Sequence, residues 1–119
     1  MRTTVEAVKK IIDTILSDGI IEAYIGDANI FITNALGDTD LDSATLASIE
    51  KWVSAHFIVA TRERLAKEEG AGGAYIKYIG EFKYGLSGTM YGQQAILLDT
   101  SETLSDLDKG KKTLTLTAL

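Results

Sequence analysis

The chain of 119 residues contains no cysteine and no proline. Without cysteine there are no disulfides and no thiolate metal or redox sites, so nothing in the sequence requires an oxidising compartment. Without proline, helices have to stop at glycine or at clusters of small polar residues. The composition is otherwise that of one globular domain, since 45% of the residues are hydrophobic and 24% are charged.

Positive charge and long apolar runs are also scarce. Twelve Lys and Arg residues stand against 17 Asp and Glu residues, a net charge of −5, which disfavours a broad phosphate-binding surface. The longest apolar stretches are far shorter than the roughly 18 residues that a membrane span needs, and no apolar region of the signal-peptide type follows the first residues. We therefore expect a soluble, intracellular protein.

Apolar residues at helical spacing predict three helices in the first 70 residues. The first is expected over residues 4–16, with Thr3 and Glu6 forming a capping box. The second begins after Ser17, which can cap it, and ends near residue 36, before Gly37. The third begins after a run of acids at residues 38–42 and extends into glycines at 70–73, with Trp52 and His56 on the flank of its apolar stripe.

The pattern changes to a period of two between Tyr75 and Tyr84, which predicts a strand or a tight hairpin. Ser87 or Thr89 can then cap a short helix that extends to Leu98, and a polar stretch covers residues 100–110. The predicted fold is mainly α with a small β element: an antiparallel bundle of three to four helices, a strand or hairpin, and an extended C-terminal tail. The predicted division is a helical domain at 1–108, which includes strand 75–84, and a tail at 109–119.

Threonine and leucine alternate in that tail. A bare strand of this kind is an aggregation hazard, so it has to pair with something. One candidate partner is the strand at 75–84 of the same chain, and the other is a second subunit or another protein that accepts an added strand. The sequence does not choose between them.

Two patterns resemble metal sites and are better explained otherwise. Asp38, Asp40 and Asp42 match the first three ligands of a calcium loop, but Ser43 replaces the required glycine and Ile49 the bidentate glutamate. A turn whose acids cap the third helix is the favoured interpretation. His56 is the only histidine and no carboxylate lies one helical turn from it, which predicts a histidine in or beside the core.

Other functional patterns are weak. The glycines at 70–73 follow a helix rather than a strand, so a flexible joint is favoured over a phosphate-binding loop. Lysines and aromatics mix at 75–84, but Glu81 and the net charge favour core and interface packing over nucleic-acid binding. None of the 17 acids has a distinctly apolar setting that would suit acid–base catalysis, and no nucleophile has a recognisable base. We therefore expect that the protein is not an enzyme and has no catalytic residue, cofactor or metal.

A family resemblance lies in the segment from Gly85 to Ala95. Its run Leu-Ser-Gly-Thr-Met-Tyr-Gly-Gln resembles the Leu-Ser-x-Thr-x-Tyr-Gly-Gln signature of the head–tail connector proteins (adaptor or head completion proteins) of tailed bacteriophages. The upstream segment from Ile49 to His56, with its Trp and Ala-His, is similar to the central helix of that family. The resemblance covers most of residues 5–105.

The resemblance implies a structural virion protein without catalytic residues or cofactors. Copies of the chain would form a ring, dodecameric in the family, between the portal and the tail or stopper. The ring would enclose DNA without sequence-specific contacts, and no membrane would be involved. The protein would be made in the host cytoplasm and reside in the neck of the virion. The implied inter-subunit interface comprises Tyr75, Tyr78, Phe82, Tyr84, Tyr91, Gly92 and Gln93. The implied portal-docking residues are Lys109, Lys111, Lys112, Leu114, Leu116 and Leu119.

Two alternatives to the adaptor remain open. A stopper or tail-terminator of the same neck is the nearer one. The more distant one is a small cytoplasmic DNA-binding regulator that reads DNA with the second and third helices, against which the acidic N-terminal half argues.

Overall fold

The computed structural model describes residues 1–70 and 85–108, without the side chains of residues 62–70. The described chain is mainly helical and contains no strand within these two ranges. Its elements are α1 (Val5–Ile11), α2 (Asp18–Leu36), α3 (Ser43–Gly70), a 3-10 helix (Leu86–Gly88), α4 (Met90–Leu98) and α5 (Thr103–Asp108). The predicted strand at 75–84 and the predicted tail at 109–119 lie outside the described residues.

The two long helices begin and end where the sequence predicts. The Ser17 hydroxyl caps α2 by accepting a hydrogen bond from the amide of Ile20, and Gly37 follows its last residue. Asp42 caps α3, because its carboxylate accepts a 2.7 Å hydrogen bond from the amide of Thr45. This bond lowers the pKa of Asp42 and stabilises the charged form beside the positive end of the helix.

The first helix is shorter than predicted and has a different cap. Thr4, rather than Thr3, accepts the hydrogen bond from the amide of Ala7, and the backbone is already extended at Ile12. The extended backbone leaves Ile12 buried while Ile15 is fully exposed. The predicted helix over 4–16 is therefore wrong beyond Ile11, because packing of Ile12 prevails over local helical periodicity.

The core has two parts, and α3 contributes to both. The larger part fills the space between α2, α3, α4 and α5, and the smaller one lies between α1, α2 and α3. The buried residues of the larger part are Ala28, Ile32, Leu36, Ile49, Val53, Leu86, Ala95 and Leu104. Those of the smaller part are Val8, Ile12, Ile21, Ile25, Ala55 and Ile58. The central position of α3 explains why its residues dominate the candidate site.

The fifth helix lies within the stretch that the sequence marks only as polar. Asp99 is buried and its carboxylate accepts hydrogen bonds from the amides of Ser101 (3.0 Å) and Leu104 (2.8 Å), which starts α5. At the other end of α5, the Asp108 carboxylate accepts a 3.0 Å hydrogen bond from the amide of Ser87, which precedes α4. The start of α5 thus lies at the end of α4, and the end of α5 lies at the start of α4. The two helices are therefore antiparallel.

Candidate functional site

The two segments that carry the family resemblance meet at the contact between α3 and α4. Thr89 caps α4 by accepting a 3.0 Å hydrogen bond from the amide of Gly92. The same hydroxyl lies 2.6 Å from Nδ1 of His56 on α3, and the imidazole is only 2% exposed. A residue of the central helix and the cap of the signature helix are therefore joined directly.

Burial determines the protonation state of His56. Thr89 Oγ1 accepts from the Gly92 amide and shares a second hydrogen bond with Nδ1 of His56, in which either side chain can be the donor. Burial lowers the pKa of His56 to about 4, although the nearby carboxylate of Asp108 raises it. The imidazole is consequently neutral at physiological pH. The prediction of a core histidine is confirmed.

Gly92 is the point of closest approach between the signature segment and α3. A Cβ atom at this position would lie 1.8 Å from the carbonyl oxygen of Leu86 and 2.9 Å from Nδ1 of His56. The first distance is far inside van der Waals contact and involves backbone, which cannot rotate away. The sequence Tyr-Gly-Gln therefore requires its glycine for packing within this chain.

Aromatic stacking adds a second contact between the same helices. The rings of Trp52 on α3 and Tyr91 on α4 are stacked, with centroids 6.1 Å apart and planes inclined by 28°. The ammonium group of Lys51 lies 5.5 Å from the centroid of the Trp52 ring, within the range of a cation–π interaction. Trp52 and Tyr91 are both half-buried, so one edge of this stack faces solvent.

The remaining signature residues connect the turn before α4 to its neighbours. The carbonyl oxygen of Ser87 accepts a 2.8 Å hydrogen bond from the Gln93 side-chain amide, and the Ser87 amide donates to Asp108 at the end of α5. Leu86, just before, is buried in the larger part of the core. The signature thus forms a compact unit of turn, cap and helix.

The predicted interface residues differ in where the structure places them. Tyr91 is half-buried in the Trp52 stack, Gly92 is buried inside the chain, and Gln93 is exposed on α4. The predicted interface residues Tyr75, Tyr78, Phe82 and Tyr84 lie outside the described residues. So do the predicted portal-docking residues Lys109, Lys111, Lys112, Leu114, Leu116 and Leu119. A role for any of them between subunits or on a portal stays a prediction.

A buried carboxylate forms a polar cluster that sequence reasoning missed. Glu50 on α3 has no exposed surface, and its Oε2 accepts hydrogen bonds from the amides of Arg2 (2.7 Å) and Thr3 (2.8 Å). Its Oε1 accepts from the Asn29 side chain at 2.9 Å and from the Arg2 guanidinium at 3.2 Å. From the sequence we placed no acid in the protein interior, and Glu50 lies there among hydrogen-bond donors. The available signal was helical spacing, since Glu50 follows Leu46 by four residues and precedes Val53 by three.

Glu50 and His56 both stabilise the fold. Both oxygens of Glu50 are occupied by donors that hold residues 2 and 3 against α2 and α3, and His56 supports the cap of α4. Within residues 1–70 and 85–108, no group of three or more metal-binding side chains is positioned to hold an ion. A membrane-spanning helix needs a longer uncharged apolar stretch than any helix described in these ranges contains.

Comparison with protein-family models, with curated proteins and with solved structures found no match. The family resemblance therefore depends on the residues quoted from residues 49–56 and 85–95.

Proposed function

We propose that this chain is a structural subunit of the neck of a tailed bacteriophage, a head–tail connector (adaptor) that joins with copies of itself in a ring between the portal and the tail. One observation supports the proposal above the others. The two resembling segments are separated by about 30 residues in the chain, yet His56 and Thr89, and Trp52 and Tyr91, are in direct contact. Two distant segments that both belong to one family signature would be expected to contact each other if together they form one part of the subunit.

The proposal includes a small β element, the antiparallel arrangement of the helical bundle and a location in the neck of the virion. A strand or hairpin at 75–84 would complete the antiparallel helical bundle and supply Tyr75, Tyr78, Phe82 and Tyr84 to the ring contact. A closed ring uses heterologous contacts, in which one surface of a subunit meets a different surface of the next. A net charge of −5 on each subunit supports the role of the ring as a channel wall, because like charge repels the phosphates of the enclosed DNA.

Reconstitution tests this function directly. Phage heads that bear a portal and lack a connector are incubated with the purified chain and sedimented. We expect the full chain to sediment with the heads, and a chain without residues 110–119 to remain folded by circular dichroism but to stay in the supernatant. Full binding by the truncated chain would reject docking through the tail.

Reconstruction of the intact neck distinguishes the alternatives. Density for this chain directly on the portal supports the adaptor, whereas density one layer further from the head indicates a stopper or tail-terminator. Absence of the chain from purified particles, together with salt-dependent binding to duplex DNA, would overturn the proposal in favour of a regulator.

A further inference from the structure

The outward side of α4 is uncharged and carries two exposed apolar residues. Met90 is 64% exposed and Leu97 is 76% exposed, and Gln93 and Gln94 lie between them. The two apolar residues are seven positions apart, two helical turns, so they lie on one side of α4 at an axial separation of about 10 Å. We call Met90, Gln93, Gln94 and Leu97 the outer α4 face. Two such exposed apolar residues on a helix with no charged side chain suit a contact with another segment of protein.

The segment that follows α5 begins next to this face. Asp108, the last residue of α5, accepts the hydrogen bond from the amide of Ser87, three residues before Met90. Because α5 is antiparallel to α4, the last described residue before this segment, Asp108, lies at the amino-terminal end of α4. Five residues, 109–113, can span up to about 17 Å, which is more than enough to bring Leu114 onto the first turn of α4.

The chemistry of that segment complements its surroundings. In an extended backbone Leu114, Leu116 and Ala118 share one side and repeat about every 6.6 Å, so this row matches the length of the outer α4 face. Residues 109–119 also contain three lysines and no acid, in a chain whose net charge is −5. Asp106 and Asp108 lie in the last turn of α5, directly before these lysines in the chain. Apolar spacing and charge therefore both fit.

We propose that the outer α4 face binds residues 113–118 of the same chain, running parallel to α4 with Leu114 and Leu116 against Met90 and Leu97. The attachment at Asp108 gives the segment a high effective concentration at its own α4, which favours this pairing over a second copy. The contact does not depend on the phage function. If the tail also docks on a portal, the portal has to displace it from α4.

A single cysteine tests the contact, because the chain has no other. A nitroxide spin label is attached to a Thr115→Cys variant of the full chain, and the methyl signals of Met90 and Leu97 are recorded by NMR. We expect both signals to lose most of their intensity and to regain it when the nitroxide is reduced. Introducing Leu97→Asp should restore the Met90 signal, whereas the matched change Ile15→Asp, at a fully exposed isoleucine far along the chain, should not. Circular dichroism checks that both Asp variants are folded.

Mixing identifies the occupant. Spin-labelled chain at natural isotope abundance is mixed with isotope-labelled chain that carries no nitroxide. Loss of Met90 and Leu97 signal only in this mixture would show that a second copy occupies the face, which overturns the proposal. Unchanged signals in both samples would also overturn it and leave the face to another partner, such as residues 75–84.

Discussion

A methyl group on Gly92 would lie 1.8 Å from the carbonyl oxygen of Leu86, closer than any relaxation of a side chain could relieve. His56 and Thr89 restrict the same site from the other side, because a 2.6 Å hydrogen bond joins their side chains. At the scale of single residues, the contact between α3 and α4 is therefore specified by side-chain size at one position and by a hydrogen bond between two others.

Replacing Gly92 with Ala should destabilise the chain by at least about 2–3 kcal/mol, because the backbone of Leu86 has to move away from the new methyl group. Gly26, inside α2, provides the matched control. A Cβ there meets only the sulfur of Met1, at 4.0 Å, so Gly26→Ala should stabilise the chain by about 0.5–1 kcal/mol. Urea unfolding curves measure both. Equal midpoints for the two variants would contradict the packing described for Gly92.

Acid should destabilise the fold through His56. Its pKa is about 4 in the folded chain and about 6.5 when unfolded, so between these values the unfolded chain binds the extra proton. Stability contributed by the neutral imidazole is complete above pH 6.5 and is lost as the pH falls toward 4, by about 3 kcal/mol in total. His56→Asn keeps an acceptor near Thr89 and does not titrate. Urea unfolding from pH 7 to 4 should show a smaller loss for this variant, and parallel curves would contradict the assignment.

At the scale of elements, capping decides where helices begin. Ser17, Asp42 and Thr89 each accept a hydrogen bond from an amide in the first turn of their helix, as their positions before an apolar stripe suggest. Asp99 starts α5 in a different way, since it reaches five residues ahead to Leu104 across a turn in which Glu102 has a φ of 62°. This left-handed turn at a glutamate is rare, which is why the sequence pattern does not indicate α5.

Loss of the Thr89 hydroxyl should destabilise the chain more than loss of an ordinary helix cap would. Thr89→Ala removes the bond to the Gly92 amide and the bond to buried His56, so we expect a loss of about 2–3 kcal/mol. Thr4→Ala removes only the exposed cap of α1 and should cost about 1 kcal/mol. Thermal unfolding compares the two threonine caps, and hydrogen exchange of the α4 amides localises the effect. Similar losses for both variants would show that the His56 bond contributes nothing to stability.

At the scale of the whole molecule, Glu50 joins parts of the chain that are distant in sequence. Its carboxylate binds the amides of residues 2 and 3, the guanidinium of Arg2 and the side chain of Asn29 on α2. A buried carboxylate is stable only with such partners, and each of them would be left with an unsatisfied donor without it. The first residues, α2 and α3 are thus held as one unit around a single acid.

Glu50→Gln should destabilise the chain by about 2–5 kcal/mol, because one carboxylate oxygen becomes an amide nitrogen that faces two donors. Glu22→Gln on the exposed side of α2 is the matched change and should alter stability by less than about 0.5 kcal/mol. Urea unfolding measures the loss, and hydrogen exchange at the Thr3 amide should become faster only in the Glu50 variant. Unchanged Thr3 exchange would contradict the role of the carboxylate.

The amino-acid sequence by itself determined the mainly helical class, the limits of α2 and α3, and the cap at Ser17, and it narrowed the other two caps to Ser87 or Thr89 and to the acids at 38–42. These features depend on neighbouring residues: apolar spacing, a hydroxyl or carboxylate before the first turn, and glycine after the last. Only the tertiary structure decided that α1 stops at Ile11, that Asp99 starts α5 and that Glu50 is buried. Each of these depends on contacts between residues far apart in the chain or across an unusual turn, and local spacing can indicate the side of a helix on which a residue lies but not the partners that it meets there.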